Sequence, residues 1–118
     1  MRRLLAATVR KDGYEVTEAR TGAELQDLLA DLLRRPASRP PFDLIISDHR
    51  MPGLTGLEVL KGMQDESWLT PFIMITAFGS RQFEENARRA GAAAVFNKPF
   101  DIDDLRSAIL NLIGRPQP

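Results

Sequence analysis

The sequence predicts an α/β fold, a doubly wound parallel sheet covered by helices on both faces. Two observations carry this. Leu44–Ile46, Phe72–Ala77 (but for Thr76) and Ala93–Phe96 are apolar without alternation, as in strands buried on both faces. Between them lie segments whose apolar residues recur at helical spacing, and strands alternating with helices imply parallel strands with crossover connections.

The elements follow in order. Leu4, Leu5, Thr8 and Val9 recur at helical spacing, and Gly13 stands where a helix C-terminal glycine belongs. Tyr14–Ala19 alternates as Tyr-Glu-Val-Thr-Glu-Ala, which predicts a short strand with one wet face. Leu25, Leu28, Leu29, Leu32 and Leu33 form a helical stripe that Arg34, Arg35 and Pro36 stop, and a loop rich in proline and arginine runs to Pro41. After the Leu44–Ile46 strand, Pro52, Gly53 and Gly56 supply turns. Thr55 with Glu58 then fits a capping box opening a helix through Leu57, Leu60 and Met63. Phe83, Ala87 and Ala90 predict a helix closed by Gly91. Asp101 is placed to cap a last helix carrying Leu105, Ile109, Leu112 and Ile113. One domain over residues 1–113 is expected, with a tail over residues 114–118.

Composition narrows the function. The 16 basic and 16 acidic residues cancel, so nothing in the overall charge points to nucleic acid or a membrane surface. There is no cysteine, which excludes disulfides and thiolate metal sites, and His49 is the single histidine, which excludes a multi-histidine centre. No apolar run is long enough to span a membrane, and the apolar stretch after Met1-Arg-Arg ends at Val9, short for a signal peptide. A cytoplasmic protein is expected.

In open α/β sheets, sites form at the carboxyl ends of the strands. Three strand ends here carry chemistry: Asp48 ends Leu-Ile-Ile-Ser, Thr76 ends Phe-Ile-Met-Ile, and Lys98 follows Val-Phe-Asn. Any one of them, taken singly, reads as a solvated strand-end residue. Together a carboxylate, a hydroxyl and an ammonium suit phosphoryl transfer, in which the carboxylate attacks phosphorus while the other two hold the developing oxygen charge.

These motifs resemble the receiver domains of two-component response regulators. Ile46-Ser-Asp-His-Arg-Met-Pro-Gly-Leu-Thr-Gly56 looks like the phosphoacceptor turn, Ile75-Thr-Ala77 like the hydroxyl-bearing strand end, and Ala90-Gly-Ala followed by Asn97-Lys-Pro-Phe100 like the lysine-proline turn. The resemblance covers Met1 to Ile113 and implies a flavodoxin-like (CheY-like) sheet of order 2-1-3-4-5. It implies that Asp48 accepts phosphate from a sensor histidine kinase or phosphotransfer protein, that Lys98 contacts the phosphoryl group, and that Thr76 moves to bind it. It further implies Mg2+ held by Asp48 and the main-chain carbonyl of Arg50, a cis Lys98-Pro99 peptide, and an output domain or protein target as partner.

The chain departs from the family in two places. Met1 already stands at the start of the first helix, and no acidic residue precedes Asp12. The family's first strand and its acidic pair are therefore expected to be missing, which leaves a gap beside Leu44–Ser47 and weak metal binding. Such an edge favours a homodimer or a repacked sheet. Secondly, Val95 stands where the family carries its inward-swinging aromatic, and Phe96 should point to the opposite face. Activation is then expected to run through Thr76 and the 77–80 loop, with Arg50 and Phe78 placed to tune phosphate lifetime. His49 reads either as a general base beside Asp48 or as a surface-turn residue directed away from the pocket; the turn geometry favours the second. Trp68 reads as packing near a helix end rather than a partner anchor. Two other functions compete: a pseudo-receiver that binds partners without phosphate, and a haloacid-dehalogenase-like enzyme. The latter requires a second aspartate where Arg50 stands.

Overall fold

Pairing of the three apolar runs builds the sheet. The structure, a computed structural model, describes residues 2–33, 42–50, 54–63, 70–77 and 79–115. Within them the order is α1 (Arg2–Lys11), α2 (Gly22–Leu33), β1 (Ile45–Asp48), α3 (Gly56–Met63), β2 (Phe72–Thr76), α4 (Arg81–Arg89), β3 (Ala94–Asn97) and α5 (Ile102–Ile113). All strands are parallel in the order β1-β2-β3, with Asp48 opposite Ile75 and Thr76 opposite Asn97.

Alternation along the strands feeds two cores. Phe72 and Met74 of β2 join Leu29, Val59, Leu60 and Ala87 on the α2–α3–α4 side. Ile73 between them turns to Leu105 and Ile109 of α5 and to Leu5 and Val9 of α1. Every residue of β2 is buried, as a central parallel strand requires. The same alternation sends Val95 to the α4 side and Phe96 to the α5 side, where its ring lies 5.9 Å from that of Phe100.

The local stop and start signals hold. Gly13 and Gly91 take positive φ at the ends of their helices. Thr55 and Glu58 form the reciprocal capping box, the Glu58 N–H donating to Thr55 Oγ1 at 3.2 Å and the Thr55 N–H to Glu58 Oε1 at 3.0 Å. The Asp101 carboxylate accepts from the Asp103 N–H at 2.8 Å to cap α5. Two stripes are narrower than the spacing predicts. Ala6 rather than Leu4 completes the buried side of α1, Leu4 being 68% exposed, and Leu112 of α5 lies at the surface.

The strand expected at Tyr14–Ala19 does not form. The segment enters no ladder; the Arg10 guanidinium bonds the Val16 carbonyl at 3.1 Å and the Glu18 carboxylate at 3.2 Å. In the order 2-1-3-4-5 this segment's one neighbour would be the first strand, so an alternating sequence by itself gives it nothing to pair with. Nor is the sheet repacked. Ile45 and His49 donate to Pro71 and Ile75 of the β2 side, and by alternation Ile46 directs its backbone groups away from β2, toward the edge of β1 that is open among the described residues. The expected 34–41 loop, the turn at Pro52 and Gly53, Trp68 and Phe78 lie outside the described residues.

Candidate functional site

The three strand ends meet at one rim, as parallel strands in near register must. Lys98 Nζ reaches Asp48 Oδ2 directly, and each of these side chains is about one-third exposed, so the pair is open to solvent. The Arg50 N–H donates to the other oxygen, Asp48 Oδ1, at 3.2 Å. Thr76 ends the middle strand, buried, and its carbonyl accepts from the Lys98 N–H at 2.8 Å. The Lys98-Pro99 peptide is cis. A carboxylate, a cation at bonding distance and a hydroxyl-bearing strand end thus share one edge of the sheet.

The loop after Thr76 is packed closely enough to depend on glycine. A Cβ at Gly79 would come 2.0 Å from Asn97 Oδ1 and 2.8 Å from Thr76 Cγ2. A side chain at Gly79 would therefore displace Asn97 or Thr76. Their spacing in the sequence carries no such signal, because the contact joins the segment after β2 to the end of β3.

His49 is directed away from the Asp48–Lys98 pair, as the turn suggests, but it is half-buried rather than at the surface. Its ring meets Phe83 of α4 edge-on, with centroids 4.6 Å apart and planes at 61°. Nδ1 is buried and finds no partner among the described residues. Burial lowers the His49 pKa below 6.5, and the neighbouring Asp48 charge opposes that shift. The general-base reading gains no support, since the ring is turned to α4 rather than to the Asp48–Lys98 pair.

Magnesium requires oxygen donors anchored by carboxylates. Among the described residues no group of three or more His, Cys, Asp or Glu is placed to hold a metal ion. Both Asp48 oxygens already accept hydrogen bonds. The first acidic side chain in the sequence, Asp12, lies at the far end of α1 and is bonded to Arg106 at 2.7 and 2.8 Å. This donor set does not fit magnesium, although receiver domains in general bind it, and no step below is routed through the metal.

Known proteins are similar to this chain in sequence and fold. The chain is 33% identical over 109 residues to sporulation initiation phosphotransferase F of Bacillus subtilis, covering 92% of this chain and 82% of that protein. It is 33% identical to response regulator protein PilR of Pseudomonas aeruginosa over 118 residues, all of this chain but 25% of PilR. Its fold superimposes on the receiver domain of the Francisella response regulator 1452 with a TM-score of 0.82 and 25% identity, covering 95% of this chain and 86% of that one. Among the described residues no helix is long and apolar enough to cross a membrane. The model of the response regulator receiver domain matches residues 1–110, and with Asp48, Thr76 and Lys98 gathered at one rim of a CheY-like sheet, the chain belongs to that family.

Proposed function

We propose that residues 1–113 form a receiver that accepts a phosphoryl group on Asp48 from a sensor histidine kinase or phosphotransfer protein, with residues 114–118 as a tail. The observation that carries this reading is the direct Lys98–Asp48 contact at the rim that Thr76 shares. A carboxylate oxygen of Asp48 attacks phosphorus, the bond to the donor breaks, and the donor leaves with its electron pair. Lys98 shifts from the free carboxylate to the non-bridging phosphoryl oxygens, and Thr76 moves to hydrogen-bond one of them. The domain is a phosphoacceptor and not an enzyme in its own right. Its consequences reach an output domain or protein target in the cytoplasm; neither nucleic acid nor a membrane is proposed as its ligand.

The same pair supports a second reading, a pseudo-receiver. Asp48 is already neutralised by Lys98, and the described residues supply no acidic cluster to anchor a metal. The two readings differ in what restores chemistry. Transfer to a carboxylate needs neutralisation on the transferring oxygens, and Lys98 provides one positive charge. The 118-residue chain is therefore expected to show no labelling with acetyl phosphate and magnesium. An N-terminal extension forming an apolar strand that ends in Asp-Asp should restore labelling, with the Arg50 carbonyl as a further metal ligand, and Asp48→Asn should remove it. Intact-mass spectrometry of the three proteins decides. If the extended protein gains no phosphate, the pseudo-receiver reading stands; if the unextended chain is labelled at Asp48, another group replaces the acidic pair.

A further inference from the structure

We propose that His49 is a positioning residue that ties the phosphoacceptor turn to the first turn of α4. Asp48 and His49 are adjacent, so whatever moves the Asp48 main chain moves the His49 backbone. That backbone is held on both sides: its N–H donates to Ile75 at 2.7 Å, and its carbonyl accepts from Gly56 at 2.8 Å. There is little slack behind it. A Cβ at Gly56 would come 2.9 Å from the Asp48 carbonyl oxygen and 3.1 Å from His49 Cα, so the turn lies hard against the start of α3. Displacement is then taken up where the side chain points.

The side chain points at Phe83. The ring pair is edge-on at 4.6 Å, an arrangement that couples the orientation of both rings. Phe83 is also the residue whose N–H is capped by Ser80 Oγ, at 3.0 Å. A movement of its ring therefore acts on the cap of α4. Ser80 follows Gly79, which touches Thr76 and Asn97 as described above. The α4 N-terminus thus receives two inputs from the rim, a covalent one through residues 77–80 and a through-space one through His49. Val95, on the same side of the sheet, brings no ring. Among the described residues the other aromatic pair, Phe96 with Phe100, packs on the opposite side of the sheet. His49–Phe83 is accordingly the ring contact placed to carry a change at Asp48 into α4.

This link deepens the receiver reading by naming a route out of its site, but its test needs no phosphate. Asp48→Asn removes the charge that holds Lys98 and serves as the perturbation. Backbone amide shifts are compared in the full chain with and without Asp48→Asn, in three backgrounds: the parent, His49→Ala and His49→Phe. The expected result is a shift across residues 81–89 in the parent, its loss in His49→Ala, and its return in His49→Phe, which keeps a ring but no imidazole. Shifts at Asn97 and Lys98 should persist in all three, which separates loss of coupling from loss of the perturbation. If His49→Ala does not fold, Phe83→Leu takes its place in the same comparison. An α4 response equal in the ring-deleted and parent backgrounds, or no response in the parent, overturns the proposal. A failure of acetyl phosphate labelling bears on the phosphoacceptor reading and leaves this result intact.

Discussion

At the scale of single residues, the site is defined by contacts that tolerate little change in volume. Gly79 offers the sharpest case. A methyl group there meets Asn97 Oδ1 and Thr76 Cγ2 at distances atoms do not occupy, so one of them must move. Gly79→Ala is expected to cost about 1–3 kcal/mol, the usual range for overpacking. It should also displace the Thr76 methyl resonance, while Gly79→Ala with Asn97→Gly should recover part of the stability because the nearer obstacle is gone. Denaturant unfolding of both variants, with methyl shifts, checks this; an unchanged midpoint for Gly79→Ala would show that the loop has room the structure denies it. Val95 is a contrasting residue. It packs in the core beside α4, so Val95→Ala should lower stability more than it alters binding of any phosphorylation-dependent partner. Abolished binding with stability intact would make Val95 a switch residue.

At the scale of elements, helix ends and helix pairs decide where the rim residues sit. Ser80 caps α4, and Ser80→Ala is expected to lower stability by about 1 kcal/mol, the typical value for a lost cap, readable as a lower denaturation midpoint. The α1 and α5 helices are joined by the Arg106 fork on Asp12, and Tyr14 Oη donates to the Gly114 carbonyl at 2.7 Å. The hydrogen bonds from Arg106 hold the Asp12 carboxyl below its ordinary value of 3.8. The folded pKa is the lower one, so the unfolded chain binds the proton more tightly. Stability from this pair is therefore present above pH 3.8 and is lost as pH falls through the still lower folded value. Arg106→Met should return the Asp12 titration toward 3.8 in carboxyl NMR and flatten the acid limb of the stability profile. An unmoved Asp12 titration in that variant would mean that the crossing is held by packing instead.

At the scale of the whole molecule, the open edge of β1 is the feature with the widest consequence. Directed backbone groups beside partly buried Leu44 and Ile46 are a template for another strand. For the 118-residue chain on its own we propose a homodimer through this edge, with the amides of Ile46 and Asp48 protected from exchange on association. Small-angle scattering with hydrogen exchange tests it, and a monomer whose Tyr14–Ala19 amides exchange freely counts against it. Extension by an apolar strand should both suppress the dimer and slow exchange at Tyr14–Ala19, since the strand supplies a neighbour to each side.

What the sequence determined by itself was everything that depends on neighbours in the chain. Apolar runs became parallel strands, Gly13 and Gly91 ended helices, Thr55 with Glu58 and Asp101 began them, and the order of Asp48, Thr76 and Lys98 at strand ends placed all three at one rim. Local hydrogen bonds and burial of uninterrupted apolar segments need no knowledge of distant residues. Tertiary structure decided the rest. Tyr14–Ala19 has a strand's alternation, yet a ladder needs a partner at hydrogen-bond distance, and the described residues offer none beside it. Leu4 has a core residue's chemistry, but the direction in which α1 packs gives the buried position to Ala6. His49 sits in a turn whose spacing suggested solvent, and only the approach of α4 put a phenyl ring against it. In each case the outcome rests on which surfaces meet across the fold, information that no run of adjacent residues contains.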